Sequence, residues 1–283
     1  MHALLHALTD TLKITPFLFF AFLLIAVLSK RVGNEKYARL LSGRFAPLLG
    51  AATGVIPQCG FSVMAAKLFQ ERCITVGTLL AVFVSTSDEA AVILATNGRW
   101  VELLTVLLLK LVLGVLVGYM GDLIFHSLKT DSHTHAEEGG GCCSHAEGES
   151  RLHAYLWHPL KHCVTAACYV FIVNAAFGLL VEWVGEDSIA AFLSDTEFLQ
   201  PLISALIGLI PNCASSVVLA EAYVAGGLSF GAMFAGLVSN AGVGLAVLLK
   251  DRKNIKLNVL IILTLYLVGA TVGEIVTAIT YFI

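Results

Sequence analysis

The sequence has few charged residues for its length. Of its 283 residues, 13% are charged and 58% are hydrophobic, whereas soluble globular proteins have about 25% charged residues. The chain therefore lacks the polar surface of a soluble fold. Its net charge of −3 also excludes the strongly basic surface that nucleic acids require. These features predict an all-α polytopic membrane protein whose surroundings are the lipid bilayer.

Two motifs typical of other protein classes are missing. There is no G-x-x-x-x-G-K-[ST] loop for nucleotide phosphates, so an ion or voltage gradient, or a separate subunit, must supply energy. There is also no C-x-x-C pair of the kind used by thiol oxidoreductases. The sequence therefore predicts no enzyme activity and no cofactor.

An internal repeat is the strongest positive signal. Residues 47–63 read PLLGAATGVIPQCGFSV, and residues 201–217 read PLISALIGLIPNCASSV. At an offset of 154 residues, nine of these seventeen positions are identical. A match of this length and fixed spacing indicates a duplicated unit.

Both halves have the same order of apolar segments. Each begins with a long run (14–29; 163–181) and continues with two short stretches on either side of an Ile-Pro-x-Cys element. Each ends with two more long runs, predicted as continuous spans (74–96 and 100–125; 228–249 and 258–282). The short stretches are 45–56 and 59–70 in the first half, and 200–210 and 213–224 in the second. A helix of twelve residues spans about 18 Å, less than the bilayer core of about 30 Å. Because proline interrupts helices, each pair is predicted to be a re-entrant hairpin, or failing that a broken helix. The fold then has about ten helical pieces.

Loop charges predict opposite orientations for the halves. The loop 30–44 has five basic residues and is expected in the cytoplasm, while its counterpart 182–200 has only acidic ones and is expected outside. The predicted organisation is a first membrane repeat (1–126), a cytoplasmic linker (127–161) and a second, inverted repeat (162–283). Both termini would lie on the outer side of the cytoplasmic membrane. A homo-oligomer is compatible with this plan.

The two predicted breaks form one candidate substrate site. Interrupted helices in inverted repeats place unpaired main-chain groups, near the midplane, against a cavity. Each break adds an amide side chain and a thiol that suits a soft metal ion. The candidate residues are Pro57, Gln58, Cys59, Pro211, Asn212 and Cys213.

A polar cluster inside the next apolar run forms a second candidate site. A carboxylate at this depth costs about 2.5–3.5 kcal/mol, so a function or a partner is expected. The acids are candidate metal ligands or proton carriers, and Asp88 is favoured because it follows Thr86 by two residues. The alternative is an ion pair with Lys110. The candidate residues are Ser85, Thr86, Asp88, Glu89, Ser239 and Asn240.

The linker between the halves is rich in possible metal ligands. Imidazoles and thiols at this density suit Zn²⁺, Ni²⁺ or copper ions, but their spacing matches no closed tetrahedral site. Weak metal binding and a plain solvated linker are both compatible with the sequence. The residues concerned are His133, His135, Cys142, Cys143 and His145.

The paired Gly-x-Ile-Pro-x-Cys elements, the ten-piece plan and the His-rich linker resemble the family of ten-helix heavy-metal exporters. Members of that family, which is related by name to arsenical permeases, are called arsenic efflux proteins or manganese transporters. The resemblance covers about residues 14–282. It implies export of a metal or metalloid, with Pro57, Cys59, Pro211 and Cys213 at the matching positions. Adjacent cysteines, expected at a site for trivalent arsenic, are missing from both breaks.

Three functions are compatible with these observations. The first is a secondary transporter that exports a divalent metal ion such as Mn²⁺, since oxygen groups and two thiols suit a borderline cation. The second is a permease for a metalloid, an organoarsenical or a small anion. The third is a membrane thiol oxidoreductase that uses Cys59 and Cys213.

The opposite orientation of the halves can be tested by labelling. Single cysteines at Asn34 and Asp187, in a cysteine-free protein, are expected to react with an impermeant thiol reagent from opposite sides of the membrane. Reaction of both from the same side would contradict the inverted repeat.

Overall fold

The computed structural model describes six ranges of the chain, together with residues 164, 168, 171 and 172. The ranges are 43–56, 59–70, 72–87, 89–128, 199–250 and 254–282. These residues form helices and no strand, so the all-α prediction is confirmed. The first predicted span (14–29), nearly all of the two charged loops and the linker from residue 129 onward lie outside the described residues.

The helices repeat between the halves. Those of the first half are α1 (Ala46–Gly54), α2 (Cys59–Gln70), α3 (Val76–Ser85), α4 (Ala90–Thr96) and α5 (Trp100–Leu128). Those of the second half are α6 (Gln200–Gly208), α7 (Ala214–Val224), α8 (Phe230–Ser239), α9 (Val243–Lys250) and α10 (Ile255–Phe282). The bounds of α1 and α6, and of α3 and α8, differ by the same offset of 154 residues as the sequence repeat. The duplication is therefore a structural one.

The equivalent helices begin for the same local reasons. Both α1 and α6 have a proline in the first turn, where a missing amide hydrogen has no cost. The hydroxyl of Thr75 accepts a hydrogen bond from the main-chain N–H of Thr78 at the start of α3. Ser229 caps α8 in the same way through the N–H of Ala232.

The chain is interrupted at both Ile-Pro-x-Cys elements, as predicted. Helix α1 ends at Gly54 and α2 begins at Cys59, while α6 ends at Gly208 and α7 begins at Ala214. The two helices of each pair make few contacts with each other. That each pair is a re-entrant hairpin, which enters and leaves the membrane on the same face, stays a prediction.

The two runs that follow the hairpins differ from the sequence prediction. Each was expected as one continuous span, 74–96 and 228–249, but each consists of two helices. We call residues 86–89, between α3 and α4, the first central break, and residues 240–242, between α8 and α9, the second. In the first, Thr86 Oγ1 turns back to the carbonyl of Val82 at 2.7 Å. In the second, Gly242 has a positive φ of 54°, which favours glycine.

The helices with central breaks form the middle of the molecule. Helices α3 and α5 pack with α1, and α8 and α10 pack with α6. Between the halves, α2 packs on α9, α7 packs on α4, and α3 contacts α8. These reciprocal contacts are those of an approximate twofold relation. The opposite orientation of the halves in the membrane remains a prediction.

Burial separates the central segments from the peripheral ones. Four segments of the described chain are long and apolar enough to cross a membrane. In their apolar stretches, 71% of residues are buried in Val76–Thr96 and 94% in Phe230–Lys250, against 28% in Trp100–Phe125 and in Ile255–Phe282. Helices α5 and α10 therefore present apolar side chains outward, where lipid solvates them.

Glycines allow the helices in each half to pack closely. A Cβ on Gly54 would lie 2.1 Å from Ser85 Oγ, and one on Gly208 would lie 2.1 Å from the main-chain oxygen of Gly236. The equivalent pair Gly114 and Gly269 lie against α3 and α8 in the same manner. Small residues let backbones approach in this way in membrane proteins.

We expect Gly208→Ala to destabilise the protein, because the added methyl group would meet main-chain atoms that no rotamer change can move. Overpacking of this kind costs about 1–3 kcal/mol. Gly227→Ala is the matched control, since the nearest atom to its new Cβ would be Ala222 O at 3.6 Å. Thermal unfolding in detergent measures the difference. Equal melting temperatures for the two variants would contradict the close packing at Gly208.

Candidate functional site

The central breaks carry a cluster of buried polar residues. All five are 5% exposed or less: Ser85, Thr86, Ser87, Ser239 and Asn240. The hydroxyls of Ser85 and Ser239 donate to carbonyls one turn back in their own helices, at 2.7 and 3.0 Å. Their oxygens therefore keep lone pairs for other groups.

Lys110 connects the two central breaks. It comes from α5, is 2% exposed, and its ammonium donates hydrogen bonds to the carbonyl of Thr86 and, at 2.7 Å, to that of Leu237. Thr86 caps the end of α3, and Leu237 lies in the last turn of α8. Because both oxygens bond one nitrogen, they lie within about 6 Å of each other. The two halves thus bring helix C-termini to one point.

The charge at this point restricts what else can bind. Carbonyl ends of helices attract cations. A divalent ion placed 4 Å from the Lys110 ammonium would be repelled by about 8 kcal/mol at an effective dielectric constant of 20. From the sequence, Lys110 is expected only as an ion-pair partner of the acids. Its place in the middle of a 26-residue apolar span was the signal of a larger role.

The structure describes one of the two acidic candidates. Glu89 precedes α4 and is exposed, whereas Asp88 lies outside the described residues. Asp88 was preferred on the assumption that residues 86–89 continue a helix. That assumption is wrong, because α3 ends at Ser85. The choice of Asp88 now depends on the burial of Thr86 and Ser87 just before it.

Asn240 stabilises the second central break and leaves one group unpaired. Its Oδ1 accepts a hydrogen bond from the N–H of Gly242 at 2.7 Å, which fixes the side-chain orientation. Its Nδ2 is buried and has no hydrogen-bond partner in the described structure. A buried unsatisfied amide costs about 1–3 kcal/mol. Such a donor is available to a water molecule or to an oxygen atom of a substrate.

The breaks at the Ile-Pro-x-Cys elements lie beside the central breaks. The N–H of Ser87 donates to the carbonyl of Gly54, the last residue of α1, at 3.3 Å. Across the halves, Gly244 of α9 lies against Ser62 of α2, where a Cβ would come within 2.7 Å. The interrupted segments of the two halves therefore pack together around the middle of the molecule.

The residues of the second Ile-Pro-x-Cys element are placed individually. Cys213 is 5% exposed and caps α7, and Asn212 Oδ1 accepts from the N–H of Ala214 at 3.2 Å. Pro211 lies half-buried in the turn between α6 and α7. In the first element, Pro57, Gln58 and the side chain of Cys59 lie outside the described residues. That the two elements form one substrate site stays a prediction.

A metal cluster of the usual kind is not found in the part of the chain that the structure describes. There, no three His, Cys, Asp or Glu side chains come together in a way that would hold an ion. The linker ligands His133, His135, Cys142, Cys143 and His145 lie outside that part. A small cleft between α4 and α5, lined by Ser87, Leu94 and Leu107, reaches Lys110. The polar groups at the described central breaks are therefore mainly oxygen atoms, together with the ammonium of Lys110.

Comparison with known proteins gives one match. The model of a family described as "Putative, 10TM heavy-metal exporter" matches residues 2–179 and 162–282. No curated protein and no solved structure matches the chain.

We expect Asn240→Ala to lower transport about tenfold, because the substitution removes the side chain that holds Gly242 and a buried donor, a loss of about 1–3 kcal/mol. Asn97→Ala is the control, since Asn97 also follows a helix but is exposed, with its Nδ2 bonded to Ile93 O at 2.9 Å. Uptake into vesicles, normalised to inserted protein, measures both. An equal effect of the two substitutions would show that the second central break does not matter for transport.

Proposed function

Because the chain belongs to this family of 10TM heavy-metal exporters, we propose that it is a secondary transporter whose substrate is a divalent cation such as Mn²⁺. It would move the ion out of the cell across the cytoplasmic membrane, with both termini outside. The missing nucleotide-binding loop is consistent with energy from an ion or voltage gradient. The repeats 1–126 and 162–283 would move against each other around the centre, as in other inverted-repeat carriers.

One observation carries the choice of a cation. The Lys110 ammonium already lies between carbonyl oxygens of both halves, at the ends of α3 and α8. Because carbonyl oxygens on two sides stabilise the ammonium here, we infer that oxygens at this position could also stabilise a metal cation. Carbonyl, hydroxyl and carboxylate oxygens are the ligands that Mn²⁺ prefers. A metal site at the contact between the halves also fits alternating access, since both halves would hold the ion.

In this proposal the two acids are metal ligands. Asp88 supplies the carboxylate that offsets the lost hydration of the ion, and Glu89 supplies a second carboxylate at the exposed start of α4. The remaining groups line the path or complete the coordination. They are Ser85, Thr86, Ser239 and Asn240 at the central breaks, and Pro57, Gln58, Cys59, Pro211, Asn212 and Cys213 at the Ile-Pro-x-Cys elements. The linker would collect metal weakly on the cytoplasmic side.

An anionic or metalloid substrate is the second candidate. The unpaired Nδ2 of Asn240 favours it, because an amide donor binds an oxyanion or a metal-oxygen species rather than a bare cation. In this case Lys110 would stay in place as a counter-charge. A thiol oxidoreductase ranks last, since the Cys213 thiol is buried and poorly accessible to a partner.

We expect Asp88→Asn to raise the KM for Mn²⁺ about tenfold or more, because the substrate then loses its charged ligand. Glu89→Gln, at the exposed neighbouring position, is expected to change KM less. Transport by full-length protein in vesicles, with Mn²⁺, arsenite and arsenate as separate substrates, measures both variants. Wild-type kinetics for Asp88→Asn at equal insertion would remove this acid from the mechanism. Transport of arsenate but not of Mn²⁺ would favour the second candidate.

The thiols can be tested separately with matched cysteines. We expect Cys213→Ser to weaken transport of a softer divalent ion such as Zn²⁺ several-fold, because a thiolate suits such an ion better than a hydroxyl does. Cys73→Ser and Cys168→Ser are controls, because Cys73 is equally buried but lies in the loop between α2 and α3, and Cys168 is exposed. If all three variants transport equally, Cys213 only fills space at the start of α7.

A further inference from the structure

Two contacts between the halves occupy equivalent places in the repeat. Helix α2 packs on α9, and α7 packs on α4. At the offset of 154 residues, α2 corresponds to α7 and α4 corresponds to α9, so the repeat exchanges the two contacts. With the halves inverted as we propose, they would lie toward opposite faces of the membrane. The two contacts are nevertheless built from different interactions.

The α2–α9 contact is close and involves main-chain atoms. The side-chain amide of Gln70 donates a hydrogen bond across the halves to the carbonyl of Val247, at 2.7 Å from Nε2 to oxygen. A Cβ on Gly244 would lie 2.7 Å from the main-chain carbon and oxygen of Ser62. Helix α9 is buried from Val243 to Leu248. Separation of α2 from α9 would therefore remove a donor from a helix-end carbonyl and expose a buried helix.

Helix α4 satisfies the equivalent carbonyl by itself. Ile93 corresponds to Val247, and its carbonyl accepts hydrogen bonds from Asn97 Nδ2 at 2.9 Å and from Thr96 Oγ1 at 3.0 Å. Both donors belong to the end of α4 or to the residue that follows it. This carbonyl keeps its partners when α4 moves away from α7.

Two further substitutions in the repeat loosen the α4–α7 contact. Val224 takes the place of Gln70, so α7 has no amide to offer at that position. Ala90 takes the place of Gly244, and its Cβ prevents an approach as close as that of α9 to α2. The buried residues of α4 are Ala90 and Leu94, whereas six consecutive residues of α9 are buried.

A contact between side chains joins the halves at the end of α4. The guanidinium carbon of Arg99 lies 5.4 Å from the centre of the Tyr223 ring, and Arg99 Nη1 donates to Glu102 Oε1 at 3.0 Å. The side chain of Arg99 is 40% exposed. A cation–π contact at an exposed site is weak. The Arg99–Tyr223 contact can therefore form and break at little cost.

We propose that the α4–α7 contact is the gate to the central breaks, closed by Arg99 on Tyr223, and that the α2–α9 contact stays shut while this gate opens. The inference rests on the proposed function, because a gate requires a transported solute, but it requires no particular substrate. Lys250 and Lys256 flank the α2–α9 contact, so the predicted topology places that contact at the cytoplasmic face. The gate would then be on the outer side, where an exported ion leaves.

Two equivalent alanines allow the contacts to be compared directly. Ala66 of α2 and Ala220 of α7 are both 0% exposed. Ala66 lies one helical turn after Ser62 on the side toward α9, and Ala220 lies one turn before Tyr223 on the side that carries it. Each is replaced by cysteine in otherwise cysteine-free, full-length protein. The rate of reaction with a water-soluble maleimide is measured in detergent, where both ends of the molecule are accessible.

We expect Ala220→Cys to react about tenfold faster than Ala66→Cys, because exposure of residue 66 also requires the Gln70 hydrogen bond to break. Adding Tyr223→Leu is expected to raise the rate at residue 220 about threefold, the effect of losing one exposed cation–π contact. Tyr223→Phe keeps the ring and should leave the rate unchanged. Neither substitution should affect the rate at residue 66.

Arg99→Gln tests the other side of the same contact and should also raise the rate at residue 220 about threefold. Arg72→Gln is the matched control, since Arg72 is an exposed arginine after α2, the repeat equivalent of α7, and should have no effect there. Should Ala220→Cys fail to fold, Ser216→Cys replaces it, because Ser216 is buried one turn earlier and cysteine has nearly the same shape.

The outcomes separate the gate from the proposed function. Equal rates at residues 66 and 220, or no effect of Tyr223→Leu at residue 220, would refute the gate, and transport of Mn²⁺ by the wild-type protein would still support the metal transporter. The expected rates in a protein that does not transport Mn²⁺ would support the gate and contradict the choice of a divalent cation.

Discussion

Main-chain groups at a helix end inside a bilayer have no water with which to bond, and the centre of this protein is built around that constraint. Four helices end or begin at the two central breaks. The hydroxyl of Thr86 donates to a carbonyl of α3, and Asn240 Oδ1 accepts from the N–H of Gly242. The N–H of Ser87 donates to the carbonyl of Gly54 at the end of α1. The carbonyls of Thr86 and Leu237 are bonded by Lys110. These bonds give the interrupted helices partners within the protein for groups that a continuous helix would have bonded itself.

Close packing makes these partners reachable. Hydrogen bonds across a break require backbones that nearly touch, and glycines at Gly54, Gly208 and Gly244 leave that room. The peripheral helices α5 and α10 are mostly exposed and need only an apolar surface toward lipid. The inner segments thus have small and polar residues at their closest contacts, whereas the outer ones are long and apolar. This division explains why the central helices are short although their sequences are apolar.

The sequence predicted the duplication and the Ile-Pro-x-Cys interruptions well, because a fixed offset and a proline are local, unambiguous signals. It missed the central breaks, since neither Ser85-Thr86-Ser87 nor Ser239-Asn240 contains a proline. Serine, threonine and asparagine interrupt a helix only when tertiary contacts make it favourable. Its place in an apolar span indicated that Lys110 has a role, but its partners were not predictable. They include the carbonyls of Thr86 and Leu237, and main-chain acceptors cannot be recognised in a sequence.

The helix ends at the central breaks bear on the sign of the substrate that we propose. The negative ends of α3 and α8 meet there and attract cations, and the Lys110 ammonium donates to one carbonyl at each of these ends. An anion in the same place would face both helix ends. The unpaired Nδ2 of Asn240 favours an oxygen-containing ligand, and the hydration water of a metal ion meets that need. Both observations are compatible with the divalent ion of the proposed function, provided that it is partly hydrated.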